Sequence, residues 1–221
     1  NCTGVGLTKG LEETTQEERL SQENSYLYLL SRTIESVDLP FEAKKINCDV
    51  KDKQSVSRAF SQIDKITDKI DVFVNCTGVG LTKGLEETTQ EEIENVIDTN
   101  LTGVIFTSQE AYRRMVKNKS GHIINVSSTS GLKARPDETI YCASKWGLRG
   151  FTESLRLAAA PLKIRVTGIY PGGMQTNFWS GSEPRNLDAF MKPEDVAEQI
   201  VHVIKSPTSI SPAEVVIERG I

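Results

Sequence analysis

Apolar residues along this chain fall into short runs, separated by longer stretches in which they recur every three or four positions. The runs Tyr26–Leu30, Ala43–Asn47, Ile70–Asn75, Gly121–Val126, Ile164–Tyr170 and Glu214–Ile217 have the β-rich composition of strands. Several are apolar without alternation, the pattern of strands covered on both faces and hence of a parallel sheet. Between them, segments near Lys53–Lys65, Thr89–Asn118, Ala143–Ala160 and Pro193–Lys205 carry helical spacing. The last opens with Pro193-Glu194-Asp195, a proline and two acids where the start of a helix accommodates them. Strand and helix in alternation predict an α/β fold: a Rossmann-like doubly wound parallel sheet, built as a three-layer α/β/α sandwich, in a single domain over residues 1–221.

The opening breaks this pattern. Residues 1–18 repeat residues 75–92 letter for letter, and the identity stops at once on either side. Structural repeats diverge because only their packing positions are constrained, so one perfect copy points to a recent duplication or an assembly error. The second copy follows the apolar run Ile70-Asp71-Val72-Phe73-Val74 and continues into a helical face of Ile93, Val96 and Ile97. The first has no such run before it and continues through Arg19, Leu20, Ser21 and Gln22. Residues 1–25 are therefore expected to be an atypical opening, leaving the sheet without its first strand.

Composition narrows the function classes. The 221 residues carry 26 Lys and Arg against 30 Asp and Glu, a formal net charge of −4, with no basic stripe of the kind that neutralises phosphates. Nucleic acid is thereby excluded as an expected partner. No apolar run approaches the ~20 residues that cross a bilayer, and the first residues do not read as a signal segment, so no membrane is expected and the cytoplasm is the expected location. The four cysteines form no CxxC pair and the two histidines stand far apart, which indicates neither a disulfide framework nor a metal site.

Doubly wound sheets bind ligands at the carboxyl ends of their strands. There the chain places Ser31-Arg32, Cys48-Asp49-Val50, Asn75-Cys76-Thr77-Gly78, Ser127-Ser128 and Pro171-Gly172-Gly173. Tyr141 and Lys145 are four apart at a helix start and share a face. An ammonium beside a phenol favours the phenolate and brings a general acid/base toward neutral pH. Ser128 follows a strand, thirteen positions before Tyr141, close enough for both hydroxyls to share one substrate oxygen, and Asn100 lies in Asp98-Thr99-Asn100-Leu101-Thr102-Gly103.

Taken in order, NCTG after a central strand, DTNLTG, INVSSTSG, YCASK and YPGGMQT resemble the short-chain dehydrogenase/reductase family from about Tyr26 onward. The resemblance implies hydride transfer between a nicotinamide ring and a carbonyl or alcohol. Tyr141 would be the proton donor or acceptor, and Ser128 would hold the substrate oxygen. Lys145 would bond the nicotinamide ribose and lower the Tyr141 pKa, and Asn100 would keep a water in a proton relay. Family positions put Asp49 and Val50 near the adenine, Asn75 and Gly78 along the adenosine, and Pro171, Gly172 and Thr176 at the nicotinamide, with Tyr141 and Lys145 also reaching the cofactor. Where an acidic residue would bond the ribose 2′-hydroxyl, the chain has Leu30-Ser31-Arg32, and a guanidinium suits a 2′-phosphate, so NADP(H) is expected over NAD(H).

Two features depart from the family. Its usual opening is a strand running into TGxxxGxG, whereas Gly4, Gly6 and Gly10 are spaced as GxGxxxG, and NCTG replaces NNAG. Residues 177–191, with Phe178, Trp179 and Phe190, correspond to the family's variable substrate loop. The family further implies a small-molecule or acyl-thioester carbonyl substrate, with a 3-oxoacyl-[acyl-carrier-protein] reductase as the best single guess. It also implies a homodimer or homotetramer paired through the helices Thr89–Asn118 and Ala143–Ala160. The alternative, should the opening be a lesion, is a nonenzymatic scaffold or regulatory subunit impaired in cofactor binding.

Overall fold

In the computed structural model, which describes residues 3–8, 26–36, 38, 42–176, 178 and 186–220, the strands in chain order are β1 (Thr3–Thr8), β2 (Tyr26–Ser31), β3 (Lys44–Asn47), β4 (Val72–Asn75), β5 (Gly121–Val126), β6 (Ile164–Pro171) and β7 (Glu214–Ile217). They form one sheet in the order β3-β2-β1-β4-β5-β6-β7, and every pairing is parallel. The described helices are α1 (Lys53–Ile63), α2 (Gln90–Ile97), α3 (Gly103–Asn118), α4 (Thr139–Ala159) and α5 (Pro193–Lys205). Strand order reverses between β1 and β4, so the loops leaving these strands diverge and open a crevice at their carboxyl ends.

The predicted apolar runs become strands because their alternate side chains bury on opposite faces. Tyr28, Leu30, Ile46, Phe73, Ile123 and Val166 pack against Val56, Ala59 and Phe60 of α1, Ala111 and Met115 of α3, and Ala159 of α4. Leu27, Leu29, Val72, Val74, Ile124 and Ile169 face the other way, against Val196, Ile200, Val201 and Val203 of α5. These two cores make the three layers. Asp52 caps α1 by accepting from the Gln54 amide at 2.8 Å, and Thr89 with Glu92 forms a capping box on α2.

Two elements differ from expectation. The stretch Thr89–Asn118 is two helices joined by a π turn over Asp98–Thr102, which contains Asn100. The second difference is β1. Thr3–Thr8 is an interior strand of the sheet, pairing with β2 on one side and β4 on the other, so the first strand expected to be missing is present. A segment between two parallel strands gains hydrogen-bond partners for its backbone on both edges, and this tertiary demand overrides the weak strand signal of a glycine-containing sequence. Gly4 and Gly6 thus lie within a strand rather than in a phosphate-binding turn, while Gly10 lies outside the described residues.

Asn75 and Asn125 face each other in register at the carboxyl ends of β4 and β5. Asn75 Nδ2 donates to Asn125 Oδ1 at 2.8 Å and to Ser108 Oγ at 3.0 Å, while its Oδ1 accepts from Thr107 Oγ1 at 2.7 Å. Asn125 Nδ2 donates in turn to Thr152 Oγ1 at 3.0 Å. All five residues are buried. The network stitches β4 and β5 to α3 and α4 through groups that have no access to water.

At the amino end of β5, His122 is buried with Nε2 at 2.9 Å from Thr167 Oγ1. Thr167 donates its one hydrogen to the Pro212 carbonyl at 2.6 Å, so the imidazole donates from Nε2, and Nδ1 is left with no partner. Burial, aided by the nearby Arg165 charge, pushes His122 down from 6.5 to about 3, so the folded chain holds it neutral. The unfolded chain takes up this proton below pH 6.5 and the folded chain does not until about 3. Stability from this group is therefore intact above 6.5 and declines as pH falls, by up to about 1.4 kcal/mol per pH unit within that window. His122→Gln is expected to flatten the fall in urea-unfolding free energy between pH 6.5 and about 4, measured as the difference from wild type.

Candidate active site

Three segments converge where β4 and β5 end. β5 delivers Ser127-Ser128, whose exit is fixed when Ser128 Oγ accepts from the Ser130 amide at 3.1 Å and caps a short 3-10 turn, Thr129–Gly131. Gly131 is required here, since a Cβ would stand 2.9 Å from the Lys145 carbonyl of α4. Ser127 Oγ donates to that carbonyl at 3.3 Å. The loop is thus pressed onto the first turns of α4, which begins at Thr139, four residues earlier than expected, and carries Tyr141 and Lys145.

Tyr141 and Lys145 are both buried, and Tyr141 shares a hydrogen bond with Ser128. Lys145 Nζ lies 5.6 Å from the Tyr141 ring centroid, and among the described residues no hydrogen bond reaches it. A Cβ on Gly78 would sit 3.4 Å from that amine and 3.7 Å from Asn100 Oδ1, so the glycine keeps the space between them open. Asn100, fully buried in the π turn, accepts from the Val79 amide at 2.8 Å and donates from Nδ2 to the Val79 carbonyl at 2.9 Å and Ser144 Oγ at 3.1 Å. Both its amide hydrogens are committed, and it ties the loop after β4 to α4. π turns recur at functional sites because the extra residue redirects one side chain.

Burial pushes the Tyr141 phenol above its ordinary value of 10, opposed by the Ser128 hydrogen bond and the Arg135 charge. This is the reverse of the lowering expected from an ammonium four residues on. Removing water from a phenolate costs more here than the charges around it return. The same burial pushes Lys145 down to about 8, with Cys76 partly offsetting it.

The expected cofactor residues fall into two groups. Ser31, Arg32, Asp49, Val50, Thr77 and Gly78 line one cleft at the ends of β2, β3 and β4. Arg32 is exposed there, its guanidinium in no ion pair among the described residues, and Asp49 Oδ1 accepts from the Lys51 amide at 3.0 Å. Asn75 does not reach this cleft with its side chain. Its amide is spent on Ser108, Asn125 and Thr107, so it supports the strand end instead of contacting a ligand. Pro171 ends β6, and Gly172 and Thr176 follow it, with the Gly172 amide held by the Ile217 carbonyl at 2.8 Å and Thr176 Oγ1 accepting from the Phe178 amide at 3.3 Å. Phe178 meets the Tyr141 ring edge-on, centroids 5.8 Å apart, which brings the Thr176 segment to the phenol. Trp179 and the rest of the expected substrate loop over 177 and 179–185 lie outside the described residues.

Sequence reasoning missed Thr107, Ser108, Asn125, Ser144 and Thr152. The in-register asparagines were the available signal, being polar residues at the ends of otherwise apolar strands.

A model of the short chain dehydrogenase family matches residues 19–186. The chain belongs to this family. It is 31% identical to a sepiapterin reductase of Chlorobaculum tepidum, over 97% of this chain and 91% of that one. It is 30% identical to a 3-oxoacyl-[acyl-carrier-protein] reductase of Bos taurus, over 93% and 91%. Among solved structures, ElxO with NADP bound superposes with a TM-score of 0.87 at 23% identity, covering 99% of this chain and 98% of that one. An actinorhodin polyketide ketoreductase with NADPH superposes at 0.85 and 24% identity, covering 99% and 97%. As a short-chain dehydrogenase the chain is an oxidoreductase acting on CH–OH or C=O groups with a nicotinamide cofactor, and the scaffold alternative falls away. Among the described residues no helix is long and apolar enough to cross a membrane.

Asn100→Ala leaves the Val79 amide and carbonyl unpaired beside α4, and a loss of about 2–3 kcal/mol is expected in chemical denaturation. An unchanged midpoint would mean that Asn100 does not hold the loop.

Proposed function

We propose that this short-chain dehydrogenase reduces a carbonyl to an alcohol, or the reverse, with NADP(H), and that Tyr141 moves the proton. The observation that carries this reading is the meeting of Tyr141, Ser128 and Lys145 beside the cleft that Arg32 borders. The residues fit such a cofactor: a buried hydroxyl of Thr77 and the Lys145 ammonium both lack hydrogen-bond partners among the described residues, and oxygen-rich phosphates and riboses supply acceptors.

Burial keeps Tyr141 protonated at neutral pH, the state needed to donate to a substrate oxygen. Ser128, bonded to that phenol in the free site, adds a second donor once its hydrogen turns to the substrate oxygen, so two hydroxyls meet the developing alkoxide. The reduced nicotinamide, when bound, supplies the hydride. Lys145, still largely charged at pH 7 with its value near 8, stabilises the phenolate left behind and is placed to bond ribose hydroxyls. Asn100 retains a free lone pair on Oδ1 beside Gly78, where a water relaying protons can be held. Asp49, Val50 and Gly78 take the adenosine side, and Pro171, Gly172 and Thr176 the nicotinamide side.

Arg32, with no acidic residue at the end of β2, supports NADP(H) over NAD(H), as do the NADP and NADPH named with the two solved relatives. A 3-oxoacyl thioester is the favoured substrate class, on the strength of the Bos taurus relative. Trp146 and Leu157, exposed on α4, support a homodimer or homotetramer paired through that helix.

Tyr141→Phe is expected to abolish turnover while leaving NADPH affinity within a few-fold of wild type; retained turnover would remove Tyr141 as the acid/base. In fluorescence titrations, Arg32→Ala is expected to weaken NADPH by about 10- to 100-fold and leave NADH nearly unchanged, the loss of a charge-assisted hydrogen bond. Equal losses for both nucleotides would count against a 2′-phosphate contact.

A further inference from the structure

Among the described residues, two buried side-chain polar atoms have no hydrogen-bond partner in the chain: His122 Nδ1 and Thr77 Oγ1. They lie at opposite ends of the sheet. His122 is the second residue of β5, at its amino end, whereas Thr77 follows the carboxyl end of β4. Thr77 is only 5% exposed, and it lines the same cleft as Ser31, Arg32, Asp49, Val50 and Gly78. The neighbouring polar groups are otherwise engaged: Asn75 is consumed by the network under the sheet, and Asn100 by Val79 and Ser144.

A hydroxyl removed from water without a partner destabilises the fold that contains it. A valine would fill the same volume without that penalty, so packing alone gives Thr77 no use for its oxygen. Among the described residues, the cleft that Thr77 lines is the open side from which a partner can reach it. Its residues from β2 and β3 mark it as the adenosine half of the dinucleotide site, and that half presents ribose hydroxyls and phosphate oxygens. We infer that the Thr77 hydroxyl donates a hydrogen bond to a ribose or phosphate oxygen in the adenosine half of the dinucleotide, in the position where NCTG departs from NNAG. The inference rests on the cofactor reading above. It assigns Thr77 a binding contact and no part in proton transfer.

The consequence is a trade between stability of the free chain and affinity. Thr77→Val relieves an unpaired buried hydroxyl, so the unliganded variant melts at or above the wild-type temperature. It also weakens the dinucleotide by about five- to tenfold, the worth of one net hydrogen bond, while Thr77→Ser stays within about twofold. The experiment is calorimetric titration of wild type, Thr77→Val and Thr77→Ser with NADPH, NADH and ADP-ribose, which lacks the nicotinamide, alongside thermal unfolding without ligand. The expected result is a parallel loss for the preferred dinucleotide and ADP-ribose in the valine variant alone. Unchanged affinity in Thr77→Val overturns this inference and leaves the cofactor reading standing. Equal losses in the valine and serine variants also overturn it, since shape and not the hydroxyl would then be responsible. Absence of binding of both dinucleotides to the wild type overturns the cofactor reading and this inference with it. Should the valine variant fail to fold, Thr77→Ala against Thr77→Ser gives the same comparison.

Discussion

The side-chain hydrogen bond from Asn75 to Asn125, 2.8 Å long and sealed from water, ties together the ends of the two strands from which the site is built. β4 delivers Thr77, Gly78 and Val79, and β5 delivers Ser127 and Ser128. The same pair reaches Thr107 and Ser108 of α3 and Thr152 of α4, so the helix bearing Tyr141 and Lys145 is keyed to the strands by polar bonds as well as by apolar packing. Apolar contacts tolerate sliding by fractions of an ångström, whereas a buried amide with every hydrogen committed does not, because a lost partner exposes the full desolvation cost. The geometry of the proposed site inherits its definition from this network.

Above that base, burial governs the electrostatics. Tyr141 is raised and Lys145 lowered for one reason, the removal of water from their charged forms. Free of ligand, the site therefore holds a protonated phenol beside an amine near its titration point. That arrangement stores a proton to give. It also leaves the Lys145 ammonium, close to Gly78, and the Thr77 hydroxyl, which lines the cleft, with no acceptor among the described residues, so an oxygen-rich ligand complements both.

The sequence TGVGLT occurs twice, at residues 3–8 and 77–82. The first copy is the interior strand β1, and the second is the loop that follows β4. Identical letters thus adopt two conformations within one molecule. At 77–82 the preceding strand has already ended at Asn75, and Asn100 captures Val79 through both its amide and carbonyl, which fixes the loop. At 3–8 the backbone lies between β2 and β4, and ladder bonds on both edges hold it extended. Glycine and threonine impose little of their own, so surroundings decide.

Asn100 entered the expected site only through the family resemblance of DTNLTG, whereas six of the strands, the α/β alternation and the approach of Ser128 to Tyr141 and Lys145 were legible in the residues themselves. These features depend on local periodicity and on the rule that ligands gather at strand ends, both of which a linear pattern carries. The tertiary structure alone decided the role of Thr3–Thr8, the π turn at Asn100, the commitment of the Asn75 amide beneath the sheet, and the upward push on the Tyr141 phenol. Each of these is set by what lies across space from a residue: a partner's free backbone edge, an opposing asparagine in register, or the exclusion of water. No spacing along the chain encodes those quantities, because they exist only once distant segments have packed.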